Sequence, residues 1–284
     1  MAQVPLLRRL FVFRMDAIAD LNDPETRDYV YTQIVTANHS TKQTGTGRFR
    51  DLDEDAISCM HEDSVNVIHD IGVSSGVTSL ELLQTLRGRK LPVSFHISDK
   101  YAKYGKMGRA LVKIVDADGA LVEMYACGIL AKRDLSRKYW FSRLLYSLLS
   151  GESRTRKLTW FLLFDAQVMN HIERDLIQVM DYDVFETRET ARFTFVRCMN
   201  LLNLNYFSSE KIERALRNIV GSLKEGGILQ IGRTSLDGHN MVGFYMNTRS
   251  GLRLVREVGG GTELHDVLTK VFGLEAINRS SPEV

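Results

Sequence analysis

VNVIHDIGVSSGVTSLELL, residues Val65 to Leu83, decides how this chain folds. Val65, Val67, Ile68 and Ile71 are β-branched and mark a short buried strand. Residues 72–76 then supply a turn of small residues. A helix follows, with Val77, Leu80 and Leu83 on one face and Leu82 beside it. Strand, turn and helix form the first half of a nucleotide-binding crossover. Small residues let the backbone come close to a ligand, and the free N–H groups at the helix start favour polar or anionic groups. The dinucleotide fingerprint G-x-G-x-x-G is not supplied. A tight strand-to-helix turn in any α/β protein is the plain alternative.

Further along, Pro92 to Ser98 reads as the second strand and Asp99 ends it. Leu176 to Met180 reads as the third, followed by Asp-Tyr-Asp-Val-Phe-Glu at 181–186. Phe193 to Arg197 is another strand. Ser208 or Ser209 can cap the next helix, with Glu210 in its first turn. Ile212, Leu216, Ile219, Val220 and Leu223 give that helix an apolar stripe, and Gly226-Gly227 is expected to end it. Ile228 to Gly232 is the strand after it. Two more β runs, Met241 to Met246 and Leu252 to Val258, close the sheet as an antiparallel pair, and a helix at about 262–272 follows.

The pattern Asp70-x-Gly72-x-Ser74-x-Gly76 resembles motif I of the class I S-adenosylmethionine (SAM) methyltransferases, with Ser74 at the middle glycine. The resemblance implies an α/β fold: a seven-stranded doubly wound sheet in the order 3-2-1-4-5-7-6, the last strand antiparallel. It implies SAM as cofactor, held by Asp70, Gly72, Ser74 and Gly76. Asp99 stands where this family places an acid on the ribose hydroxyls, a role that suits a group offering only acceptors. Asp183 and Val184 stand where an acid and an apolar neighbour meet the adenine, with Asp181 two residues away. Cys198, Asn200 and Tyr206-Phe207 look most like the chemotaxis-receptor methyltransferases, although Met199 replaces the expected arginine and the spacing is longer. Asn200 is carried over from that likeness as a SAM contact, and the protein-carboxyl substrate is not.

Residues 1–63 read as an N-terminal helical and lid segment, and 64–284 as the methyltransferase domain with an insertion at 101–160. A helix is expected from about Pro24 to Ile34 and another from Asp51 to Met60. Between them, the polar stretch 36–50 is either a surface loop or a lid over the cofactor. In the insertion, Asp118-Gly119 between Leu111–Val115 and Leu121–Tyr125 signals a hairpin. Trp140, Phe141, Leu144, Leu145 and Leu148 then fall at helical spacing among arginines and lysines. The insertion is thus expected as a hairpin-plus-helix cap, and 165–175 as a further helix.

Net charge is +2, so no global field attracts nucleic acid, and Asn-Pro-Pro-Tyr is absent. Three separated cysteines argue against a disulfide framework and fit a reducing cytoplasm. No CxxC or HExxH spacing suggests a metal, and no stretch is long enough for a membrane span. The expected reaction is direct displacement at the sulfonium methyl by an O, N or S nucleophile of a small-molecule acceptor. A protein side-chain (carboxyl) methyltransferase and a non-catalytic SAM-binding protein are the alternatives. No side chain is singled out as a catalytic base: His69 and His96 lie within strands and read as core histidines. Homo-oligomerisation is left open.

Overall fold

A computed structural model of the chain describes residue 31 and residues 45–108, 111–126, 129–132, 158–235 and 237–275. Apart from residue 31, which is helical, the expected helix at 24–34 falls outside these residues, as do the helical stripe at 140–148 and most of the 36–50 loop.

Two compact units are formed. The larger takes in residues 47–73, 78–100 and the described part of 171–284. Its elements are α1 (Arg50–Ser58), β1 (Asn66–Ile71), α2 (Val77–Gly88, whose first residue falls in the smaller unit) and β2 (Val93–Ser98). Then come β8 (Gln178–Val179), β9 (Phe193–Met199), α4 (Ser209–Ser222), β10 (Leu223–Thr234), β11 (Asn240–Thr248), β12 (Gly251–Val258), α5 (His265–Phe272) and β13 (Leu274–Glu275). The strands make one mixed sheet in the order β13-β12-β11-β10-β9-β1-β2-β8.

Five neighbouring strands, β10, β9, β1, β2 and β8, run parallel. This half matches the expected start of the order, 3-2-1-4-5. The other end differs from the expectation. The antiparallel strand beside β10 is β11, the first of the two closing strands, and β12 lies outside it, parallel to β10 again. The order there is 5-6-7 in place of 5-7-6, with the two-residue β13 as an eighth strand. Connection length explains it. Only residues 235–239 separate β10 from β11, and only Arg249-Ser250 separate β11 from β12. Links that short permit hairpins, whereas placing another strand between neighbours needs a crossover of a dozen residues or more.

Helix α4 follows its sequence pattern. The Ser208 side chain accepts from the Lys211 N–H, and Ile212, Ala215, Leu216 and Ile219 are fully buried. They share one core with Val196 and Cys198 of β9, Leu229 and Ile231 of β10, and Leu264 and Leu268 at α5. The helix ends at Ser222, however, not at Gly226-Gly227. Both glycines lie within β10, at a register shift between Leu223 and Ile228. Gly226 has φ +79°, and a Cβ on Gly227 would lie 2.9 Å from the Lys224 carbonyl oxygen. The pair makes a bulge rather than a helix stop. The third strand is also shorter than expected, reduced to Gln178–Val179 against β2.

The smaller unit holds residues 74–77 and the described parts of 1–46 and 101–170. It contains β3 (Lys103–Met107), β4 (Leu111–Val115), β5 (Leu121–Ala126), β6 (Ile129–Lys132), β7 (Thr159–Leu162) and most of α3 (Ala166–Glu173). The hairpin at Asp118-Gly119 is present, with Asp116 Oδ1 accepting from the N–H groups of Asp118 and Ala120. The insertion is not a hairpin-plus-helix cap among the described residues. It is a five-stranded antiparallel sheet, β6-β5-β4-β3-β7. The sequence hid β3 because Lys-Tyr-Gly-Lys-Met lacks apolar alternation. A Cβ at Gly105 would come within 2.9 Å of the Leu158 side chain and 3.1 Å of Val115, so larger residues there would press on both.

Candidate functional site

Parallel strands end together, so β8, β2, β1, β9 and β10 present their carboxyl ends along one edge. From β1 the sheet grows towards β2 and β8, and the chain then returns to β9 on the other side of β1. That reversal between β1 and β9 is a topological switch point, where open α/β sheets bind ligands.

Gly72 and Val73 both donate their N–H groups to the Ser98 carbonyl, at 2.8 and 3.3 Å, which ties the turn after β1 to the end of β2. Gly72, Ser74 and Gly76 have φ of +73°, +58° and +80°, and Val73 and Ser75 do not share the left-handed region. Anion-binding nests use alternation of this kind, which turns successive N–H groups towards one side. Ser74 holds a conformation that costs a non-glycine residue about 1–2 kcal/mol. Ser75 is fully buried and its hydroxyl has no partner among the described residues. A Cβ at Gly76 would lie 3.0 Å from Val168 of α3.

Asp99 directly follows β2 and is half-buried. Asp183 lies beyond β8. Its carboxylate accepts from Lys100 Nζ at 2.8 Å and from the Phe185 N–H at 2.9 Å. Burial raises its pKa, but these hydrogen bonds outweigh burial and hold the carboxyl below its ordinary value. Val184 is buried and packs in the core with Tyr182, and its carbonyl accepts from Asn218. Asn200 follows β9 with φ +58°. Its Oδ1 accepts from the Thr234 N–H at 2.8 Å, so this side chain links the ends of β9 and β10.

Asp70 takes a different position from the rest. It points into the sheet interior, 4% exposed. Asp70 pairs in register with Arg197 on the neighbouring strand, and Arg197 with Gln230 on the next. Arg197 is wholly buried and donates to Asp70 Oδ2 at 2.5 Å and to Asp53 Oδ1 of α1 at 3.0 Å. Ser79 of α2 also donates to Asp70, at 2.6 Å. Burial would weaken the guanidinium as a base, but Asp70 and then Asp53 hold its pKa above the usual value. One cation faces two carboxylates. The more distant one, Asp53, is pushed up to about 7, by burial first and by Asp70 and Glu81 in addition, against the pull of Arg197. Arg197 Nε and both amide atoms of buried Gln230 lack partners among the described residues. The sequence showed the acid of motif I but not its partner, because an arginine inside a strand carries no local signal for burial.

The chain before α1 crosses the same edge. Gly47 N–H donates to Glu81 of α2 at 2.7 Å, and Arg48 Nε donates to Thr234 Oγ1 at 3.2 Å. Asn240 Nδ2 donates to the Arg48 carbonyl. Phe49 is buried, its ring 5.5 Å from the Arg197 guanidinium carbon. His69 is buried among Tyr182 and Phe193, and burial lowers its pKa to about 3, so it stays neutral and serves as core.

No family model matches the chain, and no curated protein matches it. Solved structures do. The chain is similar to phosphoethanolamine N-methyltransferase 1 of Haemonchus contortus, solved with phosphoethanolamine and S-adenosylhomocysteine, at 11% identity and a TM-score of 0.34, over 83% of this chain and 34% of that one. It is similar to the CMeT domain of the citrinin polyketide synthase at 12% identity and a TM-score of 0.36, over 77% of this chain and 41% of that one. A protein from Pyrococcus horikoshii gives 11% identity and a TM-score of 0.36, over 95% and 90% of the two chains. The chain thus spans less than half the length of the first two. Likenesses at this level assign neither activity nor acceptor. Nothing in them supports the narrower likeness to chemotaxis-receptor methyltransferases.

Proposed function

We propose that the chain is a SAM-dependent methyltransferase acting on a small-molecule acceptor. The observation that carries this reading is the turn after β1: residues 72, 74 and 76 all left-handed, one of them a serine, at the switch point of a parallel sheet. A non-glycine residue is held in that conformation where surrounding structure or function demands it. The orphaned Ser75 hydroxyl supports it, since a buried polar atom without a partner calls for a bound group.

Gly72, Ser74 and Gly76 would let the backbone approach the cofactor, and Asp99 would accept from the ribose hydroxyls. Asp183 would meet the adenine amine, its carboxylate kept ionised by Lys100. Val184 would contribute wall packing from the core, and Asn200 the β9 side of the crevice. Asp70 would act from beneath, holding β1, α2 and β9 in place through Ser79 and Arg197. SAM supplies an activated methyl group, so the protein's task is alignment and exclusion of water.

Isothermal titration with S-adenosylhomocysteine tests the reading directly. Binding in the micromolar range by the full chain is expected, and absence of binding refutes it.

A further inference from the structure

Three arginines among the described residues are not exposed: Arg48, Arg197 and Arg233. Arg197 has Asp70 and Asp53, and Arg233 has Glu263 at 2.8 Å. Arg48 has no carboxylate among the described residues. Its Nε donates to a neutral hydroxyl, Thr234 Oγ1, and its guanidinium carbon lies 5.6 Å from the Phe49 ring. Burial lowers its pKa, with no anion among the described residues to offset the effect. A half-buried cation that has lost part of its hydration and gained no counterion is destabilising unless a ligand supplies one.

The residue is also fixed in place. Its carbonyl accepts from Asn240, Gly47 before it donates to Glu81, and the carbonyl of Phe49 after it accepts from Asp53 N–H. Thr234, which accepts from Nε, is held in turn by Asn240 and Asn200. With Nε so engaged, Nη1 and Nη2 remain as a planar pair of donors, a geometry that matches a carboxylate.

Position sets this cation apart from the candidate ribose acid. Thr234 ends β10, three strands from β2 and Asp99. At ~4.8 Å per strand that is roughly 14 Å. The aminobutyrate arm of SAM, about two extended residues or roughly 7 Å beyond the sulfur, covers only part of that span. We propose that Arg48 binds a carboxylate of the methyl acceptor, and that the acceptor class is therefore small carboxylic acids methylated at an atom other than the bound carboxylate. This rests on the SAM reading above. In the transfer, the lone pair of the acceptor O, N or S forms the new bond to carbon. The carbon–sulfonium bond breaks, sulfur keeps that pair, and the acceptor proton leaves to water. The carboxylate stays ionised in the product.

The test uses the full chain saturated with S-adenosylhomocysteine, titrated with acetate, succinate and benzoate, and with acetamide, succinamide and benzamide. At least one acid is expected to bind tenfold or more tightly than its amide, and Arg48→Met to remove that preference while cofactor affinity stays within threefold. Arg48→Gln, which can keep the Thr234 hydrogen bond, carries the comparison should Arg48→Met fail to fold. Equal binding of acids and amides overturns the proposal, as does an unchanged preference in the variant. A variant that loses S-adenosylhomocysteine and keeps the acid preference assigns Arg48 to the cofactor's own carboxylate and overturns it too. If the wild type binds no S-adenosylhomocysteine, the SAM reading fails. The same titrations on cofactor-free protein then still show whether Arg48 holds an anion.

Discussion

Arg197 on β9 donates to Asp70 on β1 at 2.5 Å, between side chains 0% and 6% exposed. The two residues are direct neighbours in a parallel register, so the pair ties together the strands that flank the switch point. Removing one partner of a buried pair leaves an unpaired charge, which costs about 3–5 kcal/mol. Arg197→Met should lower the stability by that amount in urea unfolding. Adding Asp70→Asn and Asp53→Asn should recover most of the loss. A single variant as stable as the wild type would show that the pair does not hold the strands.

Asp53 makes stability fall with pH. Its pKa rises from 3.8 in the unfolded chain to about 7 in the folded one. Between those values the unfolded chain has released a proton that the folded chain still holds. Folding is therefore favoured at the acid end of the window, and the advantage is lost as pH rises through about 7. The loss is about 4 kcal/mol across the whole window, of which about 3 kcal/mol falls between pH 5 and pH 7. Thermal unfolding at pH 5 and pH 8 should differ accordingly, and Asp53→Asn should flatten the difference.

Gln230 is fully buried and neither amide atom finds a partner among the described residues. An apolar side chain of similar length removes that cost, so Gln230→Met should stabilise the protein by about 1–3 kcal/mol. Destabilisation in the same assay would mean that the amide holds a bound water or ligand atom.

Ser74 stands at φ +58°. Ser74→Gly relieves the backbone but loosens the unfolded chain, and the two effects, each about 1 kcal/mol, nearly cancel. Ser74→Val places a β-branched residue in the left-handed region and should lose both stability and S-adenosylhomocysteine binding. Equal behaviour of the two variants in calorimetry would remove the turn from the site.

Asp99 is the fifth test. Asp99→Ala leaves two ribose hydroxyls poorly paired, at about 1–3 kcal/mol. S-adenosylhomocysteine affinity should drop roughly 5- to 150-fold by titration calorimetry. Unchanged affinity in a folded variant would sink the ribose assignment.

Local pattern determined a good deal of this. The β-branched run before Gly72 made β1, the stripe from Ile212 to Val220 made α4, and Asp118-Gly119 made a hairpin, because each depends on residues a few positions apart. The turn of small residues after β1 was legible too, but the left-handed φ of Gly72, Ser74 and Gly76 was not. Only the tertiary structure decided the strand order beyond β10, where short links force a meander. It alone paired Asp70 with Arg197, 127 residues away, and left Arg48 beside Thr234, 186 residues away, without an anion among the described residues. Charges separated by that much chain acquire partners only when strands from distant segments align, and nothing local to an arginine records which carboxylate will face it.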